Sequence, residues 1–275
     1  MLQLLKSPHR FRFAELCPCG KSNKDGKFVP YILNGKPSAN YGFCHSCGKT
    51  FLPDKKQEDF KTHPLVAPVT KPLKYVDKEI ILQTMKHFDN NNFVSFLSEF
   101  SNRDNIVNYF YIGTAKENGT IFWYQDIGYN FRTGKLIFYL TDGHRDKSKP
   151  IKSLFTKDNG FEPCLFGEFQ LNFYDKDTTV ILVESEKTAV LGRLKMPKYV
   201  WLATGGSNGL TYSKAKVLKN RNIIIIPDCD TAGRSSVERN LVILKSIGCR
   251  VEVLDLKPEL NDGSDVADFI TEQTF

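Results

Sequence analysis

Short apolar runs recur along the second half of the chain, and most are followed by apolar positions at helical spacing. The run at 223–226 consists of four isoleucines, which is typical of a strand covered on both faces in a parallel sheet. Strands that alternate with helical patterns predict βαβ units and an α/β fold. The four runs are 179–183, 199–204, 223–226 and 250–254.

Acidic residues follow two of these runs at the points where the strands end. Glu184 follows the first run, and Asp228 and Asp230 follow the third. In a parallel sheet, the carboxyl ends of the strands face the crevice that binds ligands. Asp228 and Asp230 are separated by a single residue, and two carboxylates so close together repel each other unless a divalent cation lies between them. The pair therefore indicates a Mg²⁺ site. A turn and a helix capped by Asp230 or Thr231 is the alternative interpretation.

Features suited to phosphate lie near these acids. The second run ends in Gly205 and Gly206, where the main chain can approach a phosphate group closely. Lysine and arginine are concentrated at 145–152 and 214–221. Such basic runs are usually solvated surfaces, but beside carboxylates they favour contact with a nucleic-acid backbone.

The middle of the chain predicts a mixed α/β subdomain. Apolar residues at helical spacing predict two short helices within 77–101, and their aromatic stripe is more typical of a core than of a nucleic-acid surface. Runs at 107–112, 120–127 and 135–141, separated by glycines, predict an antiparallel meander.

Four of the seven cysteines lie near the N-terminus in two pairs, which indicates metal binding in a reducing compartment. The second pair has the spacing of a zinc knuckle, whereas a single residue separates the first pair, so its sulfurs reach one tetrahedral ion less easily. Replacement of one cysteine by His45 or His9, or a buried thiol pair without metal, is the alternative. The predicted Zn²⁺ ligands are Cys17, Cys19, Cys44 and Cys47.

Short strands predicted at 28–32 and 40–43 place these cysteines in a zinc ribbon. Prolines without apolar periodicity then predict a linker. The predicted domains are a zinc ribbon (1–53), a linker (54–76), the mixed subdomain (77–176) and a Rossmann-like parallel-sheet domain (177–275).

Composition adds three expectations. Hydrophobic residues make up 41% of the 275 residues, as in an ordinary globular protein. Without an apolar run of membrane-span length or a signal-peptide pattern, we expect a cytoplasmic protein. A formal net charge of +7 permits a polyanionic partner without requiring one.

Four motifs over 178–275 resemble, in family order, the Toprim domain that bacterial-type primases share with topoisomerases and some nucleases. Ser185 and Thr188 depart from the family pattern, but neither removes a carboxylate assigned to metal. The segments 150–154 and 165–167 are more loosely similar to elements that precede the Toprim domain in those primases. The motifs are Val183-Glu184-x-Glu186-Lys187, Thr204-Gly205-Gly206, Asp228-x-Asp230-x-Ala232-Gly233-Arg234 and Asp265-Val266-Ala267-Asp268-Phe269-Ile270.

The resemblance implies a DNA primase, a nucleotidyltransferase that makes short RNA primers on single-stranded DNA from ribonucleoside triphosphates. It also implies replication of a phage, plasmid or mobile element, with a replicative helicase supplied in trans. A Toprim nuclease would use the same carboxylates, but a zinc ribbon goes with primases more than with nucleases of this fold. Intact acids argue against a non-catalytic DNA-binding accessory protein, and nothing indicates the gate of a topoisomerase.

The resemblance further implies roles for single residues. The catalytic residues, which would hold Mg²⁺ or Mn²⁺, are Glu184, Asp228 and Asp230. Further magnesium ligands would be Asp265 and Asp268. Contacts to the triphosphate or the nucleic-acid backbone would come from Lys152, Lys187, Gly205, Gly206 and Arg234.

Overall fold

Three four-stranded sheets contain the strands of the described residues, which belong to two compact units, 1–69 and 70–275. His9, Asp265 and most of the predicted linker lie outside the described residues. In the part of the chain that the structure describes, no helix has both the length and the apolarity needed to cross a membrane. The structure is a computed structural model that describes residues 3–5, 13–33, 35–53, 72–100, 102–259 and 266–272.

The N-terminal unit contains an antiparallel sheet. Its strands, in spatial order, are β1 (Gln3–Leu4), β2 (Phe28–Leu33), β3 (Lys36–Cys44) and β4 (Thr50–Phe51). The two strands predicted in this region are confirmed within β2 and β3. Phe28 is fully buried and packs with Cys17 and Cys44, so the small core of this unit is built around its cysteines.

A mixed α/β subdomain begins the second unit, and it confirms both predicted helices and, with different strand bounds, an antiparallel meander. The predicted strand at 107–112 is wrong over most of its length. Ile106, Val107 and Phe110 are spaced to bury one face of a helix, and all three are buried. The elements are α1 (Lys78–Thr84), α2 (Asn92–Leu97), α3 (Arg103–Tyr109), β5 (Ile112–Ala115), β6 (Gly119–Gln125), β7 (Phe131–Ile137) and β8 (Lys152–Ser153).

A fully parallel sheet forms the rest of this unit, as the isoleucine run predicts. Its strands are β9 (Val180–Val183), β10 (Val200–Ala203), β11 (Asn222–Ile225) and β12 (Arg250–Val253), in the spatial order β10, β9, β11, β12. Its helices are α4 (Glu186–Lys195), α5 (Tyr212–Ala215), α6 (Thr231–Ser246) and α7 (Val266–Glu272). Leu182 of β9 pairs with Ile225 of β11, so these two strands lie side by side.

One aromatic core joins the parallel sheet to the mixed subdomain. Each of its largest members is at most 1% exposed, and burial of such a side chain contributes roughly 2–3 kcal/mol. The aromatic stripe of α2 is therefore core, as its pattern indicates. These members are Phe93, Phe110, Phe122, Phe166 and Trp201.

Glu168 is a buried carboxyl group close to this junction. It begins a 3₁₀ turn, and its two oxygens accept hydrogen bonds from Ile127 N at 3.3 Å and Leu165 N at 3.2 Å. Burial raises the pKa of Glu168 to about 7, although the two amides act in the opposite direction. The folded protein therefore keeps this proton at pH values where the unfolded chain has lost it.

Replacing Glu168 by glutamine should remove a pH dependence of stability. Between the unfolded pKa of 4.5 and the folded pKa of about 7, only the unfolded chain releases the proton, so wild-type stability falls as pH rises. From about pH 5 to about pH 7.5, Glu168→Gln should gain ~2 kcal/mol in unfolding free energy relative to wild type. Urea unfolding followed by the fluorescence of Trp123 and Trp201, both buried in this unit, measures the difference.

The exposed Glu238→Gln is the matched control and should follow the wild type at both pH values. The loss of one acceptor for the two amides adds a constant offset to Glu168→Gln. If the unfolding free energies of Glu168→Gln and wild type differ by the same amount at both pH values, the assigned titration of Glu168 is contradicted.

Candidate active site and cysteine cluster

Two carboxylates leave the parallel sheet at the ends of neighbouring strands. Glu184 follows β9 directly, and Asp228 lies shortly after β11. Pairing continues beyond β11, because Ile226 N donates to Leu182 O at 3.1 Å. Both acids therefore lie at the carboxyl edge of the sheet, where parallel sheets bind ligands.

Gly233 shows how closely these acids approach the first turn of α6. A Cβ on Gly233 would lie 2.6 Å from Asp228 O and 3.2 Å from Glu184 Oε1. A side chain at this position would therefore displace the main chain at Asp228 and crowd Glu184. Glycine at position 233 is a requirement of the site.

The two acids line a cavity of about 310 Å³ that also carries positive side chains. Its carboxylates suit a divalent metal ion, and its lysine and arginine side chains suit a polyanion. Together they indicate a site for phosphate groups. The lining carboxylates are Glu184, Glu186, Asp228 and Asp268. The lining cations are Lys135, Arg145, Lys147 and Lys187. The predicted site residues that the cavity brings together are Glu184, Lys187, Gly206, Asp228 and Asp268.

Asp268 reaches the cavity from α7. Its Oδ1 lies 3.5 Å from Lys187 Nζ and 3.9 Å from His144 Nε2. The Lys187 side chain is only 8% exposed, so Asp268 provides counter-charge for a largely buried ammonium group. Two residues predicted for different ligands, Lys187 for substrate and Asp268 for metal, thus contact each other.

Asp230 and Arg234 are engaged within the protein. Asp230 is the N-cap of α6, and its Oδ1 accepts a hydrogen bond from Gly233 N at 2.6 Å. Arg234 Nε donates to Asp255 Oδ2 at 2.8 Å. The capping interpretation of Asp230 is confirmed, and the metal role of Asp230 and the substrate role of Arg234 stay predictions. The predicted substrate contact Lys152 is exposed on β8.

The acidic site offers a donor set suited to magnesium. Mg²⁺ usually takes one or two protein carboxylates and keeps several water molecules or phosphate oxygens. Glu184 and Asp228, at the edge of an open cavity, fit that requirement. In the described part of the chain, no three of the carboxylates gather as closely as the cysteine sulfurs do.

The loop after β10 is fixed to the first acid through the main chain. Gly205 N and Gly206 N donate to Glu184 O at 3.0 and 3.1 Å. Their φ angles are +83° and +132°, values that favour glycine. The predicted phosphate loop therefore lies beside Glu184.

Sequence reasoning missed a buried polar group in the wall of the cavity. Glu186 is 1% exposed and accepts hydrogen bonds from Lys135 Nζ, at 2.8 and 3.1 Å, and from Tyr124 Oη. Burial and the Glu186 charge raise the pKa of Tyr124 well above its ordinary value. Glu186 stands in a recognisable motif, but no local pattern connects it with Lys135, 51 residues away in the chain.

The second basic run, 214–221, contributes cations to the interior of the fold. Lys214 Nζ donates to Thr204 O at 3.3 Å, and burial lowers the pKa of Lys214. Arg221 is 7% exposed and donates to Asp175 O at 3.1 Å. These two residues donate hydrogen bonds to main-chain carbonyls, whereas Arg145 and Lys147 of the first run line the cavity.

The four N-terminal cysteines converge. Gly20, with φ +86°, turns the chain after the first pair, and its amide donates to Cys17 O at 2.8 Å. The one-residue spacing therefore does not prevent convergence, and the His45 ring packs against Phe43 with centroids 4.8 Å apart. The sulfurs that lie within 4.8 Å of one another are those of Cys17, Cys19, Cys44 and Cys47.

The chemistry of this cluster fits a tetrahedral zinc ion. Burial raises the pKa of Cys17 to about 12, whereas a hydrogen bond from Cys17 lowers the pKa of Cys19 to about 7. Clustered thiols become thiolate ligands once a cation replaces their protons. The cluster could therefore hold Zn²⁺ through four sulfurs.

Two family models match the chain. The family described as "Domain of unknown function (DUF6371)" matches residues 91–229, slightly more than half of the chain. The family described as "Toprim-like" matches residues 190–270. No curated protein sequence matches the chain.

Solved structures of primase cores are similar to the chain. A DnaG catalytic core matches over 71% of this chain and 74% of its own, at 14% identity and a TM-score of 0.54. A DnaG primase catalytic domain bound to ssDNA matches over 71% and 73%, at 14% identity and a TM-score of 0.53. The E. coli primase catalytic core matches over 70% and 74%, at 15% identity and a TM-score of 0.53. The chain thus belongs to the DUF6371 family and carries a Toprim-like domain within the fold of DNA primase catalytic cores.

Proposed function

We propose that the protein is a DNA primase that makes short RNA primers from ribonucleoside triphosphates on single-stranded DNA. The observation that carries the proposal is the cavity that Glu184, Asp228, Arg145 and Lys147 line together. The primase-core fold supports the same reaction. The proposed setting is the replication of a phage, plasmid or other mobile element, with a replicative helicase as partner.

The residues of the cavity divide into two groups in this proposal. Glu184 and Asp228 would hold Mg²⁺ or Mn²⁺, and such an ion neutralises charge on the transferred phosphate. Arg145 and Lys147 bind the triphosphate or the template backbone, since both line the same cavity. Asp268, whose Oδ1 contacts Lys187, is a candidate ligand for a second ion.

The cysteine cluster would hold a structural zinc ion. The described part of the N-terminal unit buries few apolar side chains besides cysteines, Ala14, Phe28 and Val29 among them. Modules with so small a core commonly depend on metal binding for their folding free energy. Zinc would therefore stabilise this unit, and template recognition is its proposed role.

A metal-dependent nuclease is the second candidate, because the same acids and cations would also serve hydrolysis of a phosphodiester. Loss of activity when one of the carboxylates is replaced does not distinguish the two reactions. The products of the reaction distinguish them.

The first experiment supplies circular single-stranded DNA, labelled ribonucleotides and Mg²⁺ or Mn²⁺. The wild-type protein should yield labelled oligomers whose sequence follows the template. Glu184→Gln and Asp228→Asn each remove a charge from the cavity and should lower the rate roughly 10²–10³-fold, as loss of one stabilising group does. The exposed Asp158→Asn is the matched control and should keep the wild-type rate.

Linear or shortened DNA without incorporation of label would identify the nuclease instead. A wild-type rate in Asp228→Asn would show that the cavity is not the catalytic site of either reaction.

Metal analysis of the purified protein should find about one zinc ion per chain. The double variant Cys44→Ser, Cys47→Ser leaves two sulfurs in the cluster and should lose the zinc. Cys249→Ser changes a buried thiol that donates to Leu218 O and should retain it. Tryptophan fluorescence should show the 70–275 unit still folded in both proteins, and full zinc content in the double variant would contradict the assigned ligands.

A further inference from the structure

An ion pair in the wall of the cavity connects the antiparallel sheet with the parallel-sheet domain. Lys135 lies on β7, and Glu186 is the first residue of α4. Lys135 Nζ lies 2.8 and 3.1 Å from the two oxygens of Glu186 and 3.1 Å from Gly205 O. An ammonium group has three N–H donors. Each donor of Lys135 therefore has an acceptor within the protein.

The Glu186 carboxylate is equally engaged. It is 1% exposed, and it accepts a hydrogen bond from Tyr124 Oη in addition to those from Lys135. Burial and the neighbouring carboxylate raise the pKa of Tyr124, so the phenol remains a donor at neutral pH. Removal of one partner from such a pair leaves an uncompensated buried charge, which is strongly destabilising.

Gly205 connects this polar group with the first acid of the site. Its carbonyl accepts from Lys135, and its amide donates to Glu184 O at 3.0 Å. A Cβ on Gly205 would lie 2.8 Å from Tyr124 Oη. The Gly205 residue is thus held between Lys135, Tyr124 and the main chain of Glu184.

We infer that Lys135 and Glu186 are positioning residues: their ion pair fixes the Gly205 peptide, and that peptide fixes the main chain at Glu184. The kinetic part of the inference rests on the proposed function, whereas its structural part is measurable without substrate. Lys135 lines the cavity, yet a phosphate group that took its ammonium would leave Glu186 buried without a counter-ion. Lys135 therefore holds the loop at Gly205 in place, and Arg145 and Lys147 bind the substrate.

Apolar replacement of the pair separates stability from positioning. Glu186→Leu or Lys135→Met alone leaves one buried charge unpaired and should lower the Tm. The double variant removes both charges and should recover most of the Tm, because an apolar pair of similar volume avoids the cost of desolvation. In the double variant, Gly205 O has still lost its donor. Amide hydrogen exchange at Gly205 and Gly206, measured without substrate, should then be roughly tenfold faster than in the wild type.

In the priming assay, the double variant should have a lower kcat and nearly the wild-type KM for nucleotide, because a positioning residue does not touch the substrate. A Lys135→Met protein with raised KM and unchanged kcat would assign Lys135 to substrate and overturn the inference. Wild-type exchange at Gly205 and Gly206 in a folded double variant would also overturn it. If the double variant does not fold, Glu186→Gln, which keeps the volume and weakens the pair, takes its place. Wild-type exchange at Gly205 and Gly206, or a raised KM with unchanged kcat, would then overturn the inference.

The matched control is an exposed ion pair on the same unit, Lys157 and Glu162, 3.6 Å apart. The double variant Lys157→Met, Glu162→Leu should change neither the exchange at Gly205 nor kcat, since exposed pairs contribute little. Faster exchange in the Lys135 and Glu186 variants, together with no priming by the wild-type protein, would refute the proposed function and support the structural part of the inference.

Discussion

The convergence of Glu184 and Asp228 on one cavity is the constraint on which the rest of the site depends. The pairing of β9 with β11 brings both acids to one edge of the sheet, and Gly233 lets α6 pack against them. Carboxylates held together raise the free energy of the fold unless positive charge lies nearby. Arg145 and Lys147, from the loop between β7 and β8 of the antiparallel sheet, line the same cavity. The site is complete only when the two sheets are docked.

Two kinds of interaction hold that docking, and they do different things. The aromatic core buries apolar surface of both sheets, but apolar contact is not directional and tolerates small sliding of one sheet past the other. The hydrogen bonds of Glu186 with Lys135 and Tyr124 have defined lengths, so they fix the relative position of β7, β6 and α4. Stability and precision at this site therefore come from different residues.

The features that the sequence predicted are those with a local cause. Four isoleucines in a row are enough to predict a buried strand, and an acid after it, Asp228, then falls at the ligand-binding edge. Asp230 was ambiguous because capping a helix and binding a metal favour the same residue type at the same place. The ion pair of Lys135 with Glu186 joins residues on different elements, so periodicity and motif spacing carry no signal for it. The apolar run at 107–112 suits either a strand or a helix by composition, and packing against the core decided for α3.

The close packing at Gly233 places the start of α6 against Asp228, and α4 begins just after Glu184. The first turn of a helix carries about half a positive elementary charge, because its main-chain amides are aligned and lack partners within the helix. Each of the two acids thus lies next to the positive end of a helix macrodipole. Part of the counter-charge of the site consequently belongs to the backbone, where neither a change of pH nor replacement of a side chain removes it.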